Sequence, residues 1–200
     1  MEMLPDRKMA PAQLGDVLVL GRGVTGQAVL DYLEPLVGGR VRTLTCVEGD
    51  GPIEGRYDLC IASPGISQFQ PLYEEARAAS AELIGEVELA WRESRADAVW
   101  VAITGTNGKT TTTALCAHLL EATGRPVRCV GNIGDACITA VEEDLQLYRD
   151  GPGGFRSEAA QPSLHPSGPS GMVHPPVYVA EVSSYQLAST AAFAPDAAVV

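Results

Sequence analysis

Apolar residues in this chain come in short unbroken runs, each followed by a glycine turn and then by a segment with helical spacing. Residues 16–20 (Asp-Val-Leu-Val-Leu) form such a run, and Ala28, Val29, Tyr32, Leu33 and Leu36 follow at helical intervals. Continuous rather than alternating runs suit strands buried on both faces, which is the signature of parallel sheets. The same reading predicts strands over 40–45, 57–62, 82–84, 98–103, 127–130, 177–182 and 197–200. It predicts helices over 71–79, from about 85 to 91, over 114–122 with Leu115, Leu119 and Leu120 at helical spacing, and from about 135 to 147. Strands that alternate with helices imply an α/β fold.

Two glycine turns give this pattern its chemistry. Gly21-Arg22-Gly23-Val24-Thr25-Gly26 fits the Gly-x-Gly-x-x-Gly fingerprint, in which glycines permit a tight turn, close approach of a pyrophosphate and close helix packing. A dinucleotide enzyme also needs an acid at the end of its second strand. Here that strand is expected to close in Thr45, Cys46 and Val47, with Glu48 and Asp50 only beyond it, which weakens an NAD reading. The third strand runs into Ser63-Pro64-Gly65-Ile66, a turn at the carboxyl edge of the sheet, where open α/β folds hold ligands.

The second turn, Gly105-Thr106-Asn107-Gly108-Lys109-Thr110-Thr111, lies between a strand and a helix and reads as a phosphate cradle. Unpaired N–H groups at a helix N-terminus and the helix dipole both favour an anion there. Lys109 can reach β- and γ-phosphates, and the Thr110 hydroxyl is placed to ligate the Mg²⁺ that accompanies ATP. The general pattern has a glycine five residues before the Gly-Lys pair, where this chain has Ile103, so the loop is a shortened variant. Without a ligand it would be only a Gly/Thr-rich helix start, yet three threonines are poor helix formers with no packing role there. The fold expected is a Rossmann-like N-terminal parallel-sheet domain over 1–95, then part of a P-loop-type ATP-binding α/β domain over 96–200.

Composition narrows the alternatives. A net charge of −11 argues against a nucleic-acid partner. The start, Met1-Glu2-Met3-Leu4-Pro5, has no apolar signal segment, and no run approaches a membrane span, so a soluble cytoplasmic protein is expected. Cys46, Cys60, Cys116, Cys129 and Cys137 are scattered without a Cys-x-x-Cys pair, as reduced thiols would be. Residues 149–176 turn to Gly, Pro and Ser, and are expected to be a mobile insertion; it contains His165 and His174 at no ligand spacing. Glu181 sits near the end of an apolar strand, where a carboxylate needs a partner such as Mg²⁺.

Gly-Thr-Asn-Gly-Lys-Thr at 105–110 resembles the ATP loop of the Mur ligases and folylpolyglutamate synthases. Gly-Arg-Gly-Val-Thr-Gly at 21–26, Ser-Pro-Gly-Ile at 63–66, Gly-Glu-Val-Glu-Leu-Ala at 85–90, Gly-Asn-Ile-Gly at 131–134 and Glu-Val-Ser-Ser-Tyr-Gln-Leu at 181–187 resemble the D-glutamate-adding branch of the Mur ligases in particular. The resemblance implies UDP-N-acetylmuramoyl-L-alanine and D-glutamate as substrates, ATP and Mg²⁺ as cofactors, and an acyl phosphate intermediate. It implies that Val24, Thr25 and Gly65 serve the UDP end, that Lys109 and Glu181 are catalytic, and that Thr110 and Glu181 hold the metal. Asn132 and Ser183 would hold the muramoyl-alanyl part. The family's polar cluster after strand two is replaced here by Thr45, Cys46 and Val47. The family's polypeptide continues beyond its equivalent of residue 200, so the chain is expected to be a monomer that is catalytically incomplete alone. A folylpolyglutamate synthase-like ligase, a noncatalytic nucleotide-binding module and a Rossmann oxidoreductase are the competing readings.

Overall fold

The computed structural model of the protein describes residues 2–49, 51–150 and 174–200. The Gly/Pro/Ser-rich insertion expected over 149–176, with His165, falls almost wholly outside the described residues.

Among the described residues there are two four-stranded sheets, and every strand pair in them is parallel. The first has the order β2-β1-β3-β4, built from β1 (Gly15–Leu20), β2 (Val41–Val47), β3 (Tyr57–Ala62) and β4 (Ser80–Gly85). Helices α1 (Val24–Leu33), α2 (Pro71–Ala79) and α3 (Glu86–Glu93) interleave with them, and a 3₁₀ turn follows α1 over Glu34–Leu36. The second sheet has the order β6-β7-β5-β8, from β5 (Val99–Ile103), β6 (Val127–Gly131), β7 (Val177–Glu181) and β8 (Ala197–Val199). Its helices are α4 (Lys109–Glu121), α5 (Cys137–Asp150) and α6 (Ser184–Ala188). The α/β class read from the apolar runs is the class observed.

Burial explains why these runs became strands. Leu18, Val19 and Leu20 in β1 and Val179 and Ala180 in β7 are fully buried, as interior strands of parallel sheets must be. One apolar cluster spans both sheets, joining Val17, Val19 and Ile61 through Val87, Leu89 and Trp91 of α3 to Trp100, Val130, Ile138 and Tyr178. All eight residues of α3 are buried, charged ones included.

Three details depart from the sequence reading. In α4 the buried positions are Thr113 and Ala117, with Cys116 and Leu120 packed beside them; Leu115 and Leu119 are more than half exposed. Strand β2 extends through Val47, so Thr45 and Cys46 lie inside it and Glu48 is the first residue beyond its end. The first dozen residues, which carry no periodic signal, nevertheless follow the α3–β5 connection: Lys8 N–H donates to Ser94 O (2.9 Å), Met9 N–H to Arg92 O (3.0 Å) and Ala96 N–H to Asp6 O (3.1 Å). All five cysteines are free, with Cys60 and Cys137 buried and the others partly so. Among the described residues no helix is long and apolar enough to cross a membrane.

Candidate active site

Strand β5 ends at Ile103, and the chain turns through 104–108 into α4, whose first residue is Lys109. Gly108 is the N-cap, no side chain caps the helix, and its first turn holds no acid, so the first N–H groups remain open to an anion. Thr106, Asn107, Gly108 and Thr111 are exposed around this opening. Lys109 curls back over the loop, its Nζ donating to Gly105 O at 2.8 Å. That bond engages one of three ammonium donors, so the group can also meet phosphate oxygens.

Glu181 closes β7, the interior strand flanked by β5 and β6, and is only 2% exposed. Its register partners are Ile103, at the start of the cradle, and Gly131, at the end of β6. The Thr110 hydroxyl donates to its Oε2 at 2.8 Å, and Asn132 Nδ2 donates to its Oε1 at 2.9 Å. Asn132 N–H also donates to Glu181 O at 2.9 Å. This close approach depends on Gly131, which has φ +99° and whose added Cβ would lie 2.4 Å from Glu181 O.

No ion pair among the described residues includes Glu181. A buried carboxylate satisfied only by neutral donors is short of positive charge. One carboxylate beside one hydroxyl, next to a phosphate-binding helix start, fits a Mg²⁺ that takes its remaining ligands from phosphate and water.

On the first sheet, Val24 and Thr25 open α1 and Gly65 lies in the turn after β3, so all three are at the carboxyl ends of the strands. Val24 and Gly65 are exposed. The third glycine of the fingerprint packs as that motif requires: a Cβ on Gly26 would sit 2.0 Å from Gly21 O. Ser63 Oγ donates to Gly21 O at 3.1 Å and ties the two turns together. Glu48, directly after β2, lies 3.9 Å from Arg22 of the fingerprint. Strand β2 thus closes at Val47 with its first acid, Glu48, just beyond the end, as the sequence reading has it. Beside it, Arg22, Leu30, Glu34, Val37, Leu44 and Cys46 line a cleft of about 380 Å³.

Lys109, Thr110, Glu181 and Asn132 are thus gathered at one end of the second sheet, and Val24, Thr25 and Gly65 at one end of the first. No hydrogen bond among the described residues joins the two groups directly. Ser183, two residues past Glu181, caps α6: its Oγ accepts Gln186 N–H (3.3 Å), while Gln186 Oε1 accepts Ser183 N–H (2.9 Å).

Sequence reasoning passed over Glu86 and Glu88 of α3. Glu86 accepts Ile138 N–H at 2.7 Å, at the start of α5. Burial pushes its carboxyl up to about 7, against the opposing pull of the Ile138 and Cys137 N–H groups. The same burial, and the adjacent Glu86, raise the Cys137 thiol well above its usual range. The available signal was two acids two residues apart in the apolar stretch Gly-Glu-Val-Glu-Leu-Ala.

Residues 103–151 match the model of the Mur ligase middle domain, a span that includes the cradle, α4, β6 and α5. Among similar proteins is a UDP-N-acetylmuramoylalanine--D-glutamate ligase of Mycolicibacterium smegmatis, 36% identical over 174 residues, covering 75% of this chain and 34% of that protein. Proteins of the same name from Mycobacterium avium (35% over 185 residues, 80% of this chain and 37% of that protein) and Mycobacterium tuberculosis (37% over 172 residues, 75% and 34%) are also similar. The chain spans about a third of the length of these curated relatives. With a match that begins at the phosphate cradle, residues 103–151 belong to the Mur ligase middle domain family, and the chain resembles D-glutamate ligases across three quarters or more of its residues.

Proposed function

We propose that this chain takes part in the ATP-dependent joining of D-glutamate to UDP-N-acetylmuramoyl-L-alanine, in the cytoplasm, as a step of peptidoglycan synthesis. The observation that carries the reading is the buried Glu181 carboxylate, held by Thr110 and Asn132 beside an uncapped helix start. In this reading residues 1–95 bind the UDP end of the substrate through Val24, Thr25 and Gly65, and residues 96–200 handle ATP. The division near 95 is supported by the two separate sheets, which share no strand pair.

MgATP supplies the phosphoryl group that turns the substrate carboxylate into an acyl phosphate. The protein's part is charge management. The loop from Gly105 through Thr106 and Asn107 to Gly108, with Thr111 beyond, offers backbone donors to phosphate. Lys109 offsets the repulsion between two anions that must approach. Thr110 and Glu181 would hold Mg²⁺. Asn132, anchored to Glu181 through both its backbone and its side chain, keeps the turn after β6 against the metal site, and Ser183 sets the direction of the chain leaving β7.

The test is thermal denaturation of the 200-residue chain with UDP-N-acetylmuramoyl-L-alanine, with MgATP and with NAD, since a ligand that binds only the folded state raises its melting temperature. Stabilisation by the first two and not by NAD is expected. Glu48, one residue past the end of β2 and 3.9 Å from Arg22 of the glycine fingerprint, is the observation for a second reading, a dinucleotide on the first sheet. A shift with NAD alone would establish it in place of the ligase.

A further inference from the structure

The least expected feature of the interior is the run of acids in α3. Glu86 is 3% exposed and Glu88 fully buried, yet α3 belongs to the first sheet while both carboxylates accept hydrogen bonds from the chain around the second. Glu86 receives Ile138 N–H (2.7 Å) at the amino end of α5, which follows directly on the turn 131–134. In that turn Gly131 N–H donates to Asp135 O (3.0 Å), and Asn132 is tied to Glu181. Glu88 receives Ala192 N–H on Oε1 (2.9 Å) and Ala191 N–H on Oε2. Those residues follow α6, the helix capped by Ser183. Gly85 N–H to Ser189 O (2.6 Å) and Tyr73 OH to Ser189 Oγ (3.0 Å) fasten the same stretch to the first sheet.

The two acids are neutralised differently. Glu88 is paired with Arg92, which also forks onto Glu82 at 2.9 and 2.7 Å. Glu86 is in no ion pair among the described residues; the titratable group facing it is the Cys137 thiol, and its charge is met by the N–H groups and dipole at the start of α5. An apolar side chain would fill either space, but it would orphan the N–H groups and specify no angle of approach. We infer that Glu86 and Glu88 are positioning residues, which set from the first sheet the placement of the two loops bearing Asn132 and Ser183 on either side of Glu181. The inference rests on the ligase reading for its purpose, since a substrate whose UDP end lies on the first sheet and whose carboxylate must reach the second needs those loops in register with α3. It rests on the hydrogen bonds alone for its geometry.

Amide hydrogen exchange of the ligand-free 200-residue chain separates the two. Glu86→Ala is expected to speed exchange about tenfold or more at Ile138 and, beyond it, at Asn132, while Leu18 and Cys60 in the first sheet keep their protection. Glu88→Ala is expected to do the same at Ala192 and Ser183. Glu86→Gln retains the one acceptor oxygen that Ile138 uses and is expected to restore wild-type exchange at Asn132, whereas Glu88→Gln, which turns an amide NH2 toward Ala191 N–H or Arg92, is expected to restore protection at Ser183 only in part. If the alanine variants do not fold, Glu86→Asp and Glu88→Asp keep the charge but fall one methylene short, and the same loosening is expected of them. In a titration with UDP-N-acetylmuramoyl-L-alanine, Glu86→Ala is expected to bind about tenfold more weakly and Glu86→Gln within about threefold of wild type. Loosening confined to Ile138 and Ala192, with Asn132 and Ser183 unchanged, would make both acids simple structural caps and overturn the proposal. Should the wild-type chain bind neither that substrate nor MgATP, the ligase reading falls, and exchange at Asn132 and Ser183 still decides this one.

Discussion

Lys109 and Gly131 show how far single residues determine the candidate site. Lys109→Ala removes the only side-chain cation on the cradle loop and leaves the first sheet untouched. It is expected to weaken MgATP binding at least about tenfold in a nucleotide titration, with affinity for the UDP-linked substrate unchanged. Equal ATP affinity in the variant would remove the role assigned to it. Gly131→Ala forces a left-handed φ of +99° on a residue with a Cβ and drives that atom against Glu181 O. A loss of about 2–4 kcal/mol in chemical denaturation is expected, seen as a melting temperature lower by roughly 5–15 °C. Of the residues singled out from the sequence, Lys109, Thr110 and Glu181 were legible because a glycine turn and a strand end fix where they must lie, and Asn132 through the family resemblance. The pairing of Asn132 with Glu181 was not, because it depends on β6 and β7 being neighbours, and no local pattern specifies strand order.

Among the elements, α4 and α3 show where periodicity works and where it fails. In α4 the leucines at 115 and 119 mark a helix correctly but not its packed side, because the loop fixes the phase of the helix so that Thr113 and Ala117 face the sheet. Ala117→Leu overpacks that contact and is expected to cost about 1–3 kcal/mol, whereas Leu119→Ser should change stability by less than about 0.5 kcal/mol, both read from urea denaturation midpoints. In α3 all eight residues are buried, so no amphipathic stripe exists to be read. This helix also gives the protein a pH dependence. The folded state holds the Glu86 proton more tightly than the unfolded chain, whose carboxyl titrates near 4.5, and the folded value is about 7. Below about 4.5 both states are protonated at this group. Between the two values the folded state binds more protons, so stability falls as pH rises through that window and levels off above it. The contribution is about 3 kcal/mol at most. Glu86→Gln has no proton to lose, so its stability relative to wild type should rise from pH 5 to pH 8; parallel pH profiles for the two proteins would refute the assignment.

At the scale of the whole molecule, the α/β class was legible from the apolar runs, because a strand buried on both faces must be apolar throughout. How the two sheets meet was not, because the contacts that join them run between residues remote in sequence and through charged side chains, which ordinarily signal a surface. The bond from Ala192 to Glu88 spans 104 residues. That span has a kinetic consequence. The first sheet is assembled from neighbouring strands and helices, whereas in the second Val99 must find Val177 before β5 has a partner on that side. Closing the longer loop costs more entropy before any contact offsets it. Refolding should therefore protect the amides of Leu18 and Cys60 before those of Val179, as pulsed hydrogen exchange would record; simultaneous protection would mean a single cooperative nucleus. If the first sheet does form early, the glutamates of α3 face water until then, and the arriving second sheet must replace that water with the N–H groups of Ile138, Ala191 and Ala192.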